Sequence, residues 1–380
     1  MRVFELGDFA VRTQNLNPAQ YPNEEFDLLS IPAYDRGFPE VTHGREIGST
    51  KQLVMPGDVM ISKIVPHIRR VWVVPEDEGR RQVASGEWMV FRGGDFLASW
   101  MRQALLSEGF HQQFLRTVAG VGGSLLRARP AHVHKIRIHL PILDEQRRIA
   151  DILDKADALR AKRREAIAHL DALGQAIFHE MFGDPVDNEH GWTQLALGQL
   201  GVWQSGGTPL RSNGANFGPG YSWFTSGELG QKWLLGSREC ITRDGLLTSS
   251  AKVVPTGALL LGMYDTAALK AGITTDEATC NQAIAFGLLD EEQVLVEFAY
   301  EAIRLGRTRH LARRRGVRQK NFNLSMVRDL RIPVPPMPLQ VSFVERLQAI
   351  ERQRRDFLTQ LMSLDSLFHS LQDRAFKGEL

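Results

Sequence analysis

Ile136-Arg-Ile-His-Leu-Pro-Ile-Leu-Asp-Glu-Gln146 and Leu330-Arg-Ile-Pro-Val-Pro-Pro-Met-Pro-Leu-Gln340 superimpose without a gap when the chain is shifted by 194 residues. Arg137/Arg331, Ile138/Ile332, Pro141/Pro335 and Gln146/Gln340 are identical pairs. The same shift aligns Leu153/Leu347, Arg160/Arg354, Leu170/Leu364, Asp171/Asp365, Leu173/Leu367 and Phe182/Phe376. That makes ten identities in 47 positions, where average residue usage gives roughly three. The chain is read as an internal duplication.

Each copy begins with a short β-like stretch, residues 135–140 and 329–334. A proline closes it, and a long proline-free helical pattern follows. The 4-3 spacing of a coiled coil runs through Phe343, Leu347, Ile350, Arg354, Phe357, Leu361, Leu364, Phe368 and Leu371. The first copy carries Ile149, Leu153, Arg160, Arg163, Ile167, Leu170, Gly174 and Ile177 in the same register. A second stripe through Leu159 and Leu173 is expected to cover part of its polar gap. Arg160 and Arg354 are expected to meet acids near the helix crossing or on a partner.

A non-helical module precedes each helix. Glu5-Leu-Gly-Asp-Phe9 resembles Ala196-Leu-Gly-Gln-Leu200, and Met55-Pro-Gly-Asp-Val-Met-Ile61 resembles Val254-Pro-Thr-Gly-Ala-Leu-Leu260. Both modules read as β-rich, with helices over 96–118 and 291–305. The predicted order is module 1–140, central helix 141–185, module 186–334 and C-terminal helix 335–380. The fold class expected is α+β. Two β-rich modules stand in a pseudo-two-fold arrangement, separated by a pair of long antiparallel helices forming a coiled coil. About 37 helical residues span ~55 Å, or ~16 base pairs of duplex DNA.

Composition bounds the alternatives. The chain has 380 residues with a formal charge of only +2, so nucleic-acid binding has to come from local charge. Residues 301–320 supply it: Arg304, Arg307, Arg309, Arg313, Arg314, Arg315, Arg318 and Lys320 face one acid, Glu301. Arg127 and Arg129 end the matching stretch of the first module. Ser205, Thr208, Arg211 and Asn213 lie in or beside a Gly-rich loop suited to base edges. Lys63, His67, Arg69 and Arg70 take the equivalent part in the first module.

Two cysteines, Cys240 and Cys280, exclude a disulfide framework and are expected to be buried. The start, MRVFELGDFA, has no apolar core of a signal peptide, and no run reaches the ~20 apolar residues of a span. A cytoplasmic chain without membrane association is expected. No methyltransferase Asn/Asp-Pro-Pro-aromatic tract and no phosphate-binding Gly-Lys-Ser/Thr loop is present. Asp58 with Lys63 is too sparse for a nuclease. His132, His134 and His139 lack the partners of a metal set, so no catalytic or metal residue is expected.

These tracts resemble the specificity subunit of type I restriction–modification systems. Leu140-Pro-Ile-Leu-Asp-Glu-Gln-Arg-Arg-Ile149 and Leu371-Gln-Asp-Arg-Ala-Phe-Lys-Gly-Glu-Leu380 carry the resemblance most clearly. Ser205-Gly-Gly-Thr-Pro209, Ser222-Trp-Phe-Thr-Ser-Gly-Glu228 and Cys280-Asn-Gln282 add to it. The first module lacks the Ser-Gly-Gly-Thr-Pro loop. The resemblance implies two target-recognition domains, each reading half of a split, asymmetric site in double-stranded DNA. It implies helices that set the gap and dock two methylation (M) subunits, to which restriction (R) subunits add. It also implies that this chain is non-catalytic and binds no cofactor, the methyl donor and ATP belonging to the partners. The alternatives are a coiled-coil scaffold binding only proteins, and a self-contained DNA-modifying enzyme.

Overall fold

The fold is described from a computed structural model, covering residues 2–119, 126–312 and 321–380. It is α+β and divides into two compact units. One comprises Met1–Glu165 with Leu358–Leu380, the other Ala166–Phe357. Both boundaries fall inside the two long helices, Leu143–Phe182 and Met337–Lys377. Each unit is therefore a β-rich module plus one half of each helix.

The helices run antiparallel within each unit. In the first, Arg148 reaches the Leu380 carbonyl while Arg160 reaches Asp365. In the second, Asp171 meets Arg354 and Phe178 packs on Phe343 at 5.4 Å. Every predicted seam residue is buried or half-buried. Burial is deepest where a helix end enters a module core. Ile149, Leu153 and Phe368 join the first core; Phe178, Phe182, Phe343 and Leu347 join the second. The middle is polar, and Arg160 and Arg354 find acids there as expected. The second stripe fails at two points: Leu159 and Leu173 are exposed. The helix has one packed face, and both lie outside it.

The duplication extends into the modules. Strand Arg2–Glu5 pairs antiparallel with Arg137–Leu140, and Thr193–Ala196 with Arg331–Val334. Leu6 N–H donates to the Ile136 carbonyl and Leu197 N–H to the Leu330 carbonyl, both at 2.9 Å. In each module an apolar strand, Val59–Ser62 or Leu259–Gly262, lies between two antiparallel neighbours. These are Val71–Val73 and Trp88–Phe91 in one, Ala271–Thr274 and Ile284–Leu289 in the other. A second strand set is mixed. Glu25–Leu29 pairs antiparallel with Glu40–His43 and parallel with Arg81–Ala84. Phe217–Phe224 pairs likewise with Glu239–Ile241 and Ala278–Cys280.

The helix expected over 96–118 is two, Ala98–Leu106 and Glu108–Leu115. Ser107 breaks it, taking an extended conformation in which its hydroxyl accepts from Phe110 N–H. The counterpart is one helix, Val296–Ala312. Gln146 and Gln340 lock these helices to the long ones. Gln146 Oε1 accepts from Leu97 N–H at 2.8 Å, and its Nε2 donates to the carbonyls of Asp95 and Pro141 at 2.9 Å. Gln340 repeats this with Leu295 N–H (2.9 Å), Gln293 (3.2 Å) and Pro335 (2.8 Å). Both glutamines are fully buried.

Candidate nucleic-acid interface

In the first module the predicted basic residues divide by their partners. Arg70 grips Asp35 with two bonds, 2.8 and 2.9 Å, and its side chain is only 10% exposed. Arg69 pairs with Glu108 and donates to the Leu106 carbonyl. Arg127 pairs with Glu87 at 3.1 Å. The Arg70 and Arg69 guanidiniums hold the Asp35 and Glu108 carboxyls below their ordinary range. Arg70 is nearly covered, whereas the Arg69 and Arg127 pairs lie at the surface, so the sequence expectation of phosphate contacts from Arg69, Arg70 and Arg127 meets competing acids, most firmly at Arg70. Asp58 is likewise engaged, by Arg92 at 2.5 and 2.7 Å.

Lys63, His67 and Arg129 make no ion pair among the described residues, and His67 and Arg129 are exposed. Local backbone bonding brings Lys63 and Arg129 to one place. The Lys63 carbonyl accepts from Ala128 N–H, Val65 N–H donates to Leu126, and Arg129 N–H donates to Thr117. Val65 sits at φ +46°, in the left-handed region, an uncommon conformation for a β-branched residue.

The second module builds the corresponding place from Met263–Asp265. Phe322 N–H donates to the Met263 carbonyl, and Asn321 Oδ1 accepts from Asp265 N–H. Asp265 stands at φ +50°. Arg313, Arg314, Arg315, Arg318 and Lys320 lie outside the described residues, between Ala312 and Asn321. Arg307 is not a free cation. It donates to the Ala268 and Thr266 carbonyls, both at 2.8 Å, and ties the helix to a turn. Arg309 pairs with Asp184 and Asp187.

The Gly-rich loop requires its glycines for a steric reason. Ser205 ends strand Gly201–Ser205. Gly206 N–H donates to Ile284 and Gly207 N–H to Cys280. A Cβ at Gly206 would overlap the Cys280 carbonyl, and one at Gly207 the Ser250 carbonyl. Trp223 Nε1 donates to the Gly207 carbonyl at 3.0 Å. Beyond the loop, the Thr208 hydroxyl donates to Gln282 Oε1. Arg211 grips Glu239 at 2.8 and 2.7 Å and lies over the rings of Phe217 (4.5 Å) and Trp223 (4.9 Å). Asn213 caps the short turn at Gly214–Asn216, its Oδ1 accepting from Ala215 N–H, which is a local folding role.

Glu239 and Gln282 went unremarked as site residues in the sequence. Gln282 had a signal, lying in Cys280-Asn-Gln282. Glu239 had none, because strand register alone brings it to Arg211. Cys280 is buried as expected, and burial pushes its thiol up to about 12. Cys240 departs from expectation and is half-exposed. Among the described residues no group of His, Cys, Asp and Glu is placed to hold a metal ion. Among them, too, no helix is long and apolar enough to cross a membrane.

Comparison with known proteins gives three findings. Residues 189–362 match the type I restriction modification DNA specificity domain. The specificity subunit of the type I restriction enzyme EcoR124I/EcoR124II from Escherichia coli is 26% identical over 215 residues. That match covers 54% of this chain and 52% of the relative, so the chain spans about half the length of the curated relative it matches. Among solved structures, one concerned with complex assembly and conformational transition of the type I R-M system contains a similar chain. Its TM-score is 0.65 at 20% identity, covering 100% of this chain and 98% of that one. The S subunit of a type I restriction-modification system from M. genitalium matches with a TM-score of 0.59 at 10% identity, over 99% and 96%.

Proposed function

We infer that this chain is a type I restriction–modification specificity subunit, the DNA-reading component of such a system. It carries no catalysis of its own. Each β-rich module reads one half of a split, asymmetric site in double-stranded DNA. The two long helices set the gap between the halves and dock two methylation subunits, and restriction subunits join through the assembled complex. The methyl donor and ATP belong to those partners.

The observation that carries this reading is the repetition of one construction. Both modules tie the end of an equivalent strand, next to Val65 in one and Asp265 in the other, to a stretch whose neighbouring sequence is basic: Arg127 and Arg129 in the first, residues 313–320 in the second. A chain that only scaffolds proteins has no need of the same basic position twice. Leu173 and Leu367 support the docking role. They are identical at the 194-residue spacing, lie on the long helices and are 45% and 52% exposed. An apolar side chain kept at the surface in both copies suits a partner that binds in two copies.

The test is methylation mapping in cells carrying the chain with its own methylation subunit. A single split motif is the expected result. Scattered or absent methylation overturns the reading and favours a protein-only scaffold.

A further inference from the structure

The inference concerns how the site is read, and it rests on the DNA-reading role above. The sheet registers give Glu239 and Glu40 the same position in the two modules. Trp223 pairs antiparallel with Glu239 and parallel with Thr279. Leu28 pairs antiparallel with Glu40 and parallel with Val83. Each glutamate holds an exposed arginine: Arg211 on Glu239, and Arg36 on Glu40 at 2.6 Å. The arginines come from different segments. Arg211 precedes its strand Phe217–Phe224, whereas Arg36 follows Glu25–Leu29 and ends helix Ile31–Arg36. The same ion pair has been assembled twice by two routes.

Stability does not account for it. Arg211 and Glu239 are 53% and 45% exposed, and exposed pairs add little to folding. Orientation does. The Arg211 guanidinium lies over the rings of Phe217 and Trp223 while Glu239 holds its end. Two of its five N–H donors serve Glu239, leaving the Nε and further Nη hydrogens unspent on that carboxylate, which itself keeps spare lone pairs. The unit offers donors and an acceptor side by side. A G·C pair displays the complement in the major groove: guanine O6 and N7 accept and cytosine N4 donates.

We propose that the Arg211–Glu239 pair reads a G·C base pair in the half-site of the second module, Arg211 donating to guanine O6 and N7 and Glu239 accepting from cytosine N4. Arg36–Glu40 is its counterpart in the first module. The carboxylate also keeps the guanidinium from settling on a phosphate, reserving it for base edges.

The experiment is methylation mapping with the full chain and its methylation subunit, for wild type, R211A, R211K, E239Q and R36A. The expected result for R211A, R211K and E239Q is that one G·C position in one half-site relaxes by about 5- to 100-fold. The other half-site stays intact, and R36A relaxes that one instead. A motif unchanged in R211A and R211K overturns the proposal. So does loss of all methylation in R211A alongside an unchanged motif in R211K and E239Q, since that marks a folding role. A wild-type chain that yields no split motif overturns the DNA-reading role itself, and the proposal with it.

Discussion

Arg160 on the central helix donates from Nε to Asp365 on the C-terminal helix at 2.6 Å. The duplication repeats the pair in reverse: Arg354 donates to Asp171 at 2.8 Å, each residue displaced by 194. The two pairs differ in setting. Arg160 is 13% exposed and also lies over the Phe368 ring at 4.2 Å, whereas Arg354 is 42% exposed. R160L is expected to destabilise the chain by about 1–2 kcal/mol, because it removes the bonds to Asp365 and Asp157 and the contact with Phe368, while Arg164 still holds Asp365. R354L is expected to cost less than about 1 kcal/mol. Urea denaturation of both variants checks the ranking, and equal losses would refute it.

Gln146 and Gln340 make a sharper pair of predictions. Q146L leaves Leu97 N–H and two carbonyls without their partner, at a cost of about 2–4 kcal/mol. Hydrogen exchange is expected to accelerate at Leu97 in Q146L and at Leu295 in Q340L. Uniform acceleration through both modules in either variant would show that the glutamines are not local clamps.

Salt dependence separates the cations that face outward from those already spent. Replacing Lys63 and Arg129 together with alanine is expected to lower the slope of log affinity against log salt by about 2. R70A is expected to leave that slope unchanged, because Asp35 holds its charge. Filter binding to a random-sequence duplex between low and moderate salt decides the matter. A slope lowered by R70A would mean that Arg70 leaves Asp35 for a phosphate.

Acid has a defined direction of effect. The Asp35, Glu24 and Glu108 carboxyls are held below their ordinary range by Arg70, Arg81 and Arg69. Their stabilisation is present above about pH 4, near the unfolded carboxyl value, and is lost as pH falls through the depressed folded values. Urea midpoints are expected to hold from pH 7 to about 5 and then drop, with a shallower drop in R70A. An identical pH profile for R70A and wild type would rule out Asp35 as a contributor.

The thiols offer a fifth test. Cys280 is buried, with its thiol pushed up to about 12, whereas Cys240 is half-exposed. A thiol-exchange reagent at neutral pH is expected to label one cysteine in the folded chain and two in denaturant. Rapid labelling of both in the folded chain would contradict the packing of Cys280 around Gly206.

The repeat, read from ten identities, determined the architecture. It gave the antiparallel helix pair, the strand–proline–helix junctions and the equivalence of the modules. Those features depend on local pattern, on period 3.5 in the helices and on proline at strand ends, and local pattern is written in the chain. The roles of the charged residues were not. Arg69, Arg70, Arg127 and Arg307 look alike in sequence, yet each is held by an acid or a carbonyl far away along the chain. Glu239 meets Arg211 because strand register carries it there, and Leu159 is exposed because the helix packs one face only. An ion pair is a short-range contact between residues distant in sequence. Periodicity therefore fixes which elements form, and only tertiary packing decides which of their charges remain to meet DNA.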